Sequence, residues 1–278
     1  MRWMEPYGKA RSVALVTHGL NMRPTRMAPI IELLREQGAV TALFALPGHR
    51  GGWKTLARAR AEETLASATK GCTEVARVKR QRSLPVARFV GHSLGALLFL
   101  TLFAERRAVG PGGAGSAAPR ELAPFDEAIL LAPAVALRRR ATLLRPPAMR
   151  LAGTLPIPSL APRADAVYPA LPLGSYRLLY ELLRRFRENS TVAPVAMPMR
   201  IYLDRADEFV SLTGIRRLRR CGRLSQATMV IAPEEEHLPW PAHMLAGPES
   251  MGATLWDDLR RHLTAAAPPQ HTLREANE

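Results

Sequence analysis

Hydrophobic and polar positions along the chain fall into two alternating kinds of segment. Short, nearly unbroken apolar or β-branched runs recur at residues 12–17, 40–45, 86–91, 127–132, 199–204 and 227–232. Runs of that length without polar alternation fit strands buried on both faces. Between them, apolar residues return every three or four positions over residues 26–37, 55–80, 94–107, 212–221 and 248–263, the spacing of helices with one buried face. Strand and helix alternating in this way predict a doubly wound α/β domain, a parallel sheet covered by helices on both faces.

Two stretches break the rhythm. Residues 109–122 crowd Gly, Ala, Ser and Pro together and read as a flexible surface loop. Residues 137–195, between the fourth and fifth predicted strands, are rich in Pro and Leu. A helix at 175–188 carries Tyr176, Leu179, Leu182, Leu183 and Phe186 at helical spacing. An insertion this long in an otherwise economical fold is more often a lid or a binding element than a plain connection. The expected organisation is a core of residues 1–136 and 196–265, a lid over 137–195, and a frayed polar tail at 266–278.

Composition narrows the partners. With 278 residues, 47% of them hydrophobic, the chain can bury one large core. A formal charge of +15 raises the prospect of a polyanion or an acidic membrane surface. Lys9, Lys54, Lys70 and Lys79 are the only lysines among the 39 basic residues, and the densest clusters, at 138–140 and 216–220, lack the interleaved aromatics on which bases stack. The charge reads as a solvated surface with no specific nucleic-acid partner. Residues 1–9 hold no apolar run and residues 13–16 are too few for a signal peptide or a span, so a cytoplasmic protein without integral membrane association is expected. Cys72 and Cys221, far apart and without metal-ligand spacing, support neither a disulfide nor a zinc site, and are expected to be buried or inert.

The chemistry concentrates at Gly91-His92-Ser93-Leu94-Gly95, a GxSxG run directly after the apolar strand at 86–90 and before the helical segment at 96–100. The bare pattern arises by chance in roughly one chain in ten of this length, so its placement decides its meaning. At a strand-to-helix turn, the glycines let neighbouring elements approach while the serine hydroxyl is pushed clear of the backbone. A hydroxyl is a weak nucleophile and needs a base and an orienting acid. Asp207 follows the strand at 199–204, with Asp204 and Glu208 as rivals; His237 follows the next strand and is the expected base, with His243 as its alternative. His262 falls on the polar side of a helix, and His92 reads as a pocket wall rather than a base. The order Ser93, Asp207, His237 suits an α/β sheet whose loops carry the site at the strands' carboxyl ends. His18-Gly19-Leu20-Asn21, after the first strand, could offer the Leu20 amide beside that of Leu94 as an oxyanion hole.

With these residues in view, the chain resembles the α/β-hydrolase superfamily, in particular small bacterial carboxylesterases and lysophospholipase- or monoacylglycerol-lipase-like members. The matching pieces are His18-Gly19-Leu20, Leu46-Pro47-Gly48-His49-Arg50-Gly51, Gly91-His92-Ser93-Leu94-Gly95, Asp207-Glu208-Phe209-Val210 and His237-Leu238. The resemblance implies a mostly parallel sheet of about six to seven strands, a cap at 137–195 and no cofactor. It departs from the pattern in its first residues, where a leading hairpin is missing or reduced to residues 2–7, and in the acidic run Glu234-Glu235-Glu236. The expected substrate is a small-molecule acyl ester, with His92, Tyr176, Leu179 and Leu238 in the binding pocket. The same constellation serves thioesterases and other acyl-transfer hydrolases, and a non-catalytic binding protein is the alternative from another class.

Overall fold

The computed structural model describes residues 1–49, 52–108, 124–142, 153–159 and 161–265. The surface loop expected at 109–122, the tail at 266–278, Arg50 and Gly51 of the second motif, and residues 143–152 and 160 of the insertion lie outside the described residues. Strands β1 (Arg2–Met4), β2 (Ser12–Thr17), β3 (Ala39–Phe44), β4 (Val86–His92), β5 (Glu127–Leu131), β8 (Met199–Leu203) and β9 (Ala227–Ile231) form a seven-stranded sheet in the order β1-β3-β2-β4-β5-β8-β9. Every pairing is parallel except β1 with β3. Every residue of β2, β3 and β5 is buried, as unbroken apolar strands require, whereas edge strand β9 is only partly covered. The first residues form the antiparallel edge strand β1, too short to show as a pattern in the sequence.

Helices α1 (Ala28–Glu36), α2 (Trp53–Arg58), α3 (Ala61–Gln81), α4 (Ser93–Ala108), α6 (Leu212–Arg220) and α7 (Pro248–Thr264) follow the predicted spacing, with one exception. The single helix expected over 55–80 is two, separated where Ala59 and Arg60 take extended backbone. Neither Gly nor Pro marks the break; α2 packs on the insertion while α3 lies on the sheet and α4. No helix among the described residues is long and apolar enough to cross a membrane.

The insertion between β5 and β8 contains a two-stranded ribbon, β6 (Pro156–Pro158) with β7 (Ala170–Pro172), and helix α5 (Gly174–Val192). Leu178, Leu182, Leu183 and Phe186 pack the inner face of α5 onto α4, a helix apolar on all sides. The helix of the inserted segment is therefore core, and the ribbon overhangs the sheet's carboxyl end, lining the cavity beside Ser93. Its base is tied to the turn after β2: Asn21 Nδ2 donates to Ser159 Oγ (2.8 Å) and the Tyr168 carbonyl (2.9 Å), and Tyr168 N–H donates to Asn21 Oδ1 (2.9 Å).

Candidate active site

Ser93 stands where β4 becomes α4, with φ of 48°, a left-handed backbone that a serine adopts only when its surroundings impose it. The enforcing contacts are close. A Cβ added to Gly95 would lie 2.5 Å from the His18 carbonyl oxygen, and one added to Gly19 would lie 2.6 Å from His92 Nδ1, so the turn after β2 is pressed directly against the serine turn. That turn is itself held from behind. His18 Nε2 accepts from the Leu46 amide (3.1 Å) and His49 Nε2 from the Asn21 amide (2.9 Å). Burial pushes His49 down to about 4, so it stays neutral and able to accept that bond.

Asp207 follows β8 and is fully buried. Its Oδ1 accepts the amides of Phe209 (2.8 Å) and Val210 (2.7 Å), leaving Oδ2 for an imidazole. Burial alone would raise its pKa, but the charge and hydrogen bond of His243 and the two amides outweigh that and hold it below the ordinary carboxylate range. The imidazole is that of His243: Nδ1 lies 2.8 Å from Asp207 Oδ2 and Nε2 2.8 Å from Ser93 Oγ. A carboxylate only accepts, so Nδ1 carries the proton and Nε2 receives the Ser93 hydroxyl. The Phe209 ring packs edge-on against the imidazole, with centroids 5.1 Å apart.

His237, the base expected from the sequence, takes no part in this arrangement. It is exposed in the loop after β9, beside the equally solvated Glu234 and Glu235, while residues 241–246 turn inward and are buried throughout. The local sequence held a usable signal, since Ala242, Met244, Leu245 and Ala246 surround His243 with apolar groups and an acidic run precedes His237. The rival acids lie apart from the imidazole nitrogens: Asp204 accepts from the Ala206 amide, and Glu208 from the amides of Ala242 and His243.

Ser93 and His243 open onto a cavity of about 970 Å³. Tyr176 and Leu179 line it as expected, as do Leu20 and Leu94; Ile157, Pro158 and Leu171 of the ribbon form much of its apolar wall. His92 and Leu238 are not among its lining residues. His92 lies fully buried behind the serine, and Leu238 packs at the kink of α7, where a Cβ on Gly252 would meet it at 2.7 Å. The Leu94 amide belongs to the first turn of α4, whose N–H groups have no acceptor within the helix. Among the described residues, no group of three or more His, Cys, Asp or Glu could hold a metal ion. Cys72 is buried, with its thiol pushed up to about 12, whereas Cys221 is exposed.

No protein-family model matches the sequence, and no curated protein does. Solved structures match the fold. A soluble variant of monoglyceride lipase from Saccharomyces cerevisiae is similar at 14% identity and a TM-score of 0.69, over 94% of this chain and 90% of that one. Paleococcus ferrophilus monoacylglycerol lipase is similar at 17% identity and 0.61, over 95% and 96%. Est1E from Butyrivibrio proteoclasticus is similar at 14% identity and 0.57, over 94% and 90%. The chain has the α/β-hydrolase fold.

Proposed function

We propose that this protein is a serine hydrolase that cleaves carboxylic esters with an apolar acyl or alcohol group. The observation that carries the reading is the continuous hydrogen-bonded chain from Ser93 through His243 to Asp207, 2.8 Å at each link, at the floor of a largely apolar cavity. Ser93 Oγ adds to the carbonyl carbon while its proton passes to His243 Nε2, and buried Asp207 stabilises the imidazolium that forms. The amides of Leu20 and Leu94 hold the developing oxyanion. Collapse expels the alcohol, which takes the proton from His243; water then attacks the acyl-enzyme by the same route and releases the acid. The overhanging ribbon serves as the lid. The lipase and esterase names of the structural neighbours agree with this reading.

The test is covalent labelling by a fluorophosphonate together with turnover of p-nitrophenyl acyl esters and acyl-CoA thioesters. Wild type should label and Ser93→Ala should not, with a loss of roughly 10⁴-fold or more in kcat. Preference for the thioesters would make the protein a thioesterase. Absence of both labelling and turnover in wild type would favour the non-catalytic binding module.

A further inference from the structure

His243 lies in the stretch between β9 and α7, which has neither helix nor strand to fix its position. Its local bonds, Met244 N–H to the Pro241 carbonyl and Leu245 N–H to the His243 carbonyl, both 3.0 Å, shape the turn but do not relate it to β4 or β8. Two side chains do. His92, the residue before Ser93, donates Nε2–H to the His243 carbonyl at 2.8 Å. Glu208, the residue after Asp207, accepts His243 N–H at 3.2 Å and Ala242 N–H at 3.0 Å, one on each oxygen.

Resting on the hydrolase reading above, we propose that His92 and Glu208 are paired positioning residues that grip the backbone of the base from both sides. His92 sets the imidazole relative to the serine, and Glu208 sets it relative to the acid. The chemistry of each group suits this task. Among the described residues, buried His92 Nδ1 has no hydrogen-bond partner, so the ring's one polar contact is the Nε2–H donated to the His243 carbonyl. Burial first, then neighbouring His243, pushes His92 down to about 3, so it adds no second positive charge when the His243 imidazolium forms. Glu208 spans two successive amides with two oxygens, a contact that an amide side chain, with its single acceptor, cannot reproduce. Because Leu245 N–H also reaches the His243 carbonyl, removing the His92 donor leaves no orphaned carbonyl and severs only the link to the serine turn.

The test compares His92→Phe, which keeps ring volume without the donor, His92→Gln, which keeps a neutral donor, and Glu208→Gln, all in the full chain with a p-nitrophenyl ester. In His92→Phe and Glu208→Gln, kcat should fall roughly 10- to 100-fold, as expected for a base displaced by a fraction of an ångström, with KM within about twofold and a parallel fall in fluorophosphonate labelling rate. His92→Gln should recover most of the loss. The double variant should lose less than the product of the single losses, because either release frees the same segment. Wild-type kcat in the single variants, a Gln variant no better than Phe, or a loss confined to KM would overturn the clamp while leaving the hydrolase reading intact. Failure of wild type to label or turn over would instead remove the reading itself. If circular dichroism shows that His92→Phe does not fold, His92→Asn, whose amide is too short to reach the carbonyl, replaces it with the same expected outcomes.

Discussion

The two ends of the sheet carry the same pairing of an imidazole with a buried carboxylate and put it to different use. At the carboxyl end His243 meets Asp207 at 2.8 Å; at the opposite end His262 of α7 meets Glu127, the first residue of β5, at 3.0 Å. What differs is the third member. The other nitrogen of His243 faces the Ser93 hydroxyl over a cavity, and Asp207 spends its second oxygen only on backbone amides. Glu127 gives its second oxygen to the buried Arg88 guanidinium, which already neutralises it. On the hydrolase reading, a histidine-carboxylate pair is thus a reaction centre or a strut according to what stands on either side of it.

The largest effect expected at the cavity end is from His243→Ala, with kcat reduced roughly 10⁴- to 10⁶-fold, while His237→Ala should stay within about twofold. The reverse ranking in an ester assay would return the base to His237. Next, Asp207→Asn should cost on the order of 10⁴-fold in kcat with the fold retained, since an amide favours the wrong imidazole tautomer. Loss of the circular-dichroism signal in step with activity would point to a structural acid instead.

At the opposite end the effects should fall on stability. Glu127→Ala leaves Arg88 buried and unpaired and should destabilise by about 3 kcal/mol in urea unfolding, with kcat per folded molecule unchanged. Burial alone would raise the Glu127 pKa, but His262 and Arg88 outweigh it and hold it below the usual range. Stability from a depressed carboxylate is present above the unfolded-state value, about 4.3, and is lost as pH falls through the lower folded-state value. Glu127→Gln should therefore flatten the acid limb of the stability profile. The smallest effect is that of His262→Gln, whose side chain is 24% exposed: under about 1 kcal/mol, measured the same way. A larger loss, or lost turnover, would make the second pair more than a strut.

Legibility followed how local the signal was. The strand expected at 86–91 is observed as Val86–His92, and that expected at 199–204 as Met199–Leu203, because unbroken apolar runs must be covered wherever they go. The position of Ser93 was visible because it follows such a strand directly, and that of Asp207 because it stands in the short loop after one. The break at Ala59 was invisible, since contacts with the insertion and not turn residues make it. His243 was the weaker candidate because proline-punctuated coil after β9 has no period from which to tell which histidine turns inward.

By itself the sequence determines a parallel sheet, its sharp turn with a serine at the tip, and an acid two strands further across, since hydrophobic periodicity and glycine spacing act over a few residues. The tertiary structure alone decides which histidine meets Ser93 and Asp207, that the helix of the insertion packs into the core, and that His92 bonds the His243 carbonyl instead of lining the pocket. Those outcomes depend on how segments distant along the chain share one buried space, where each polar group must find a partner and each charge a neighbour.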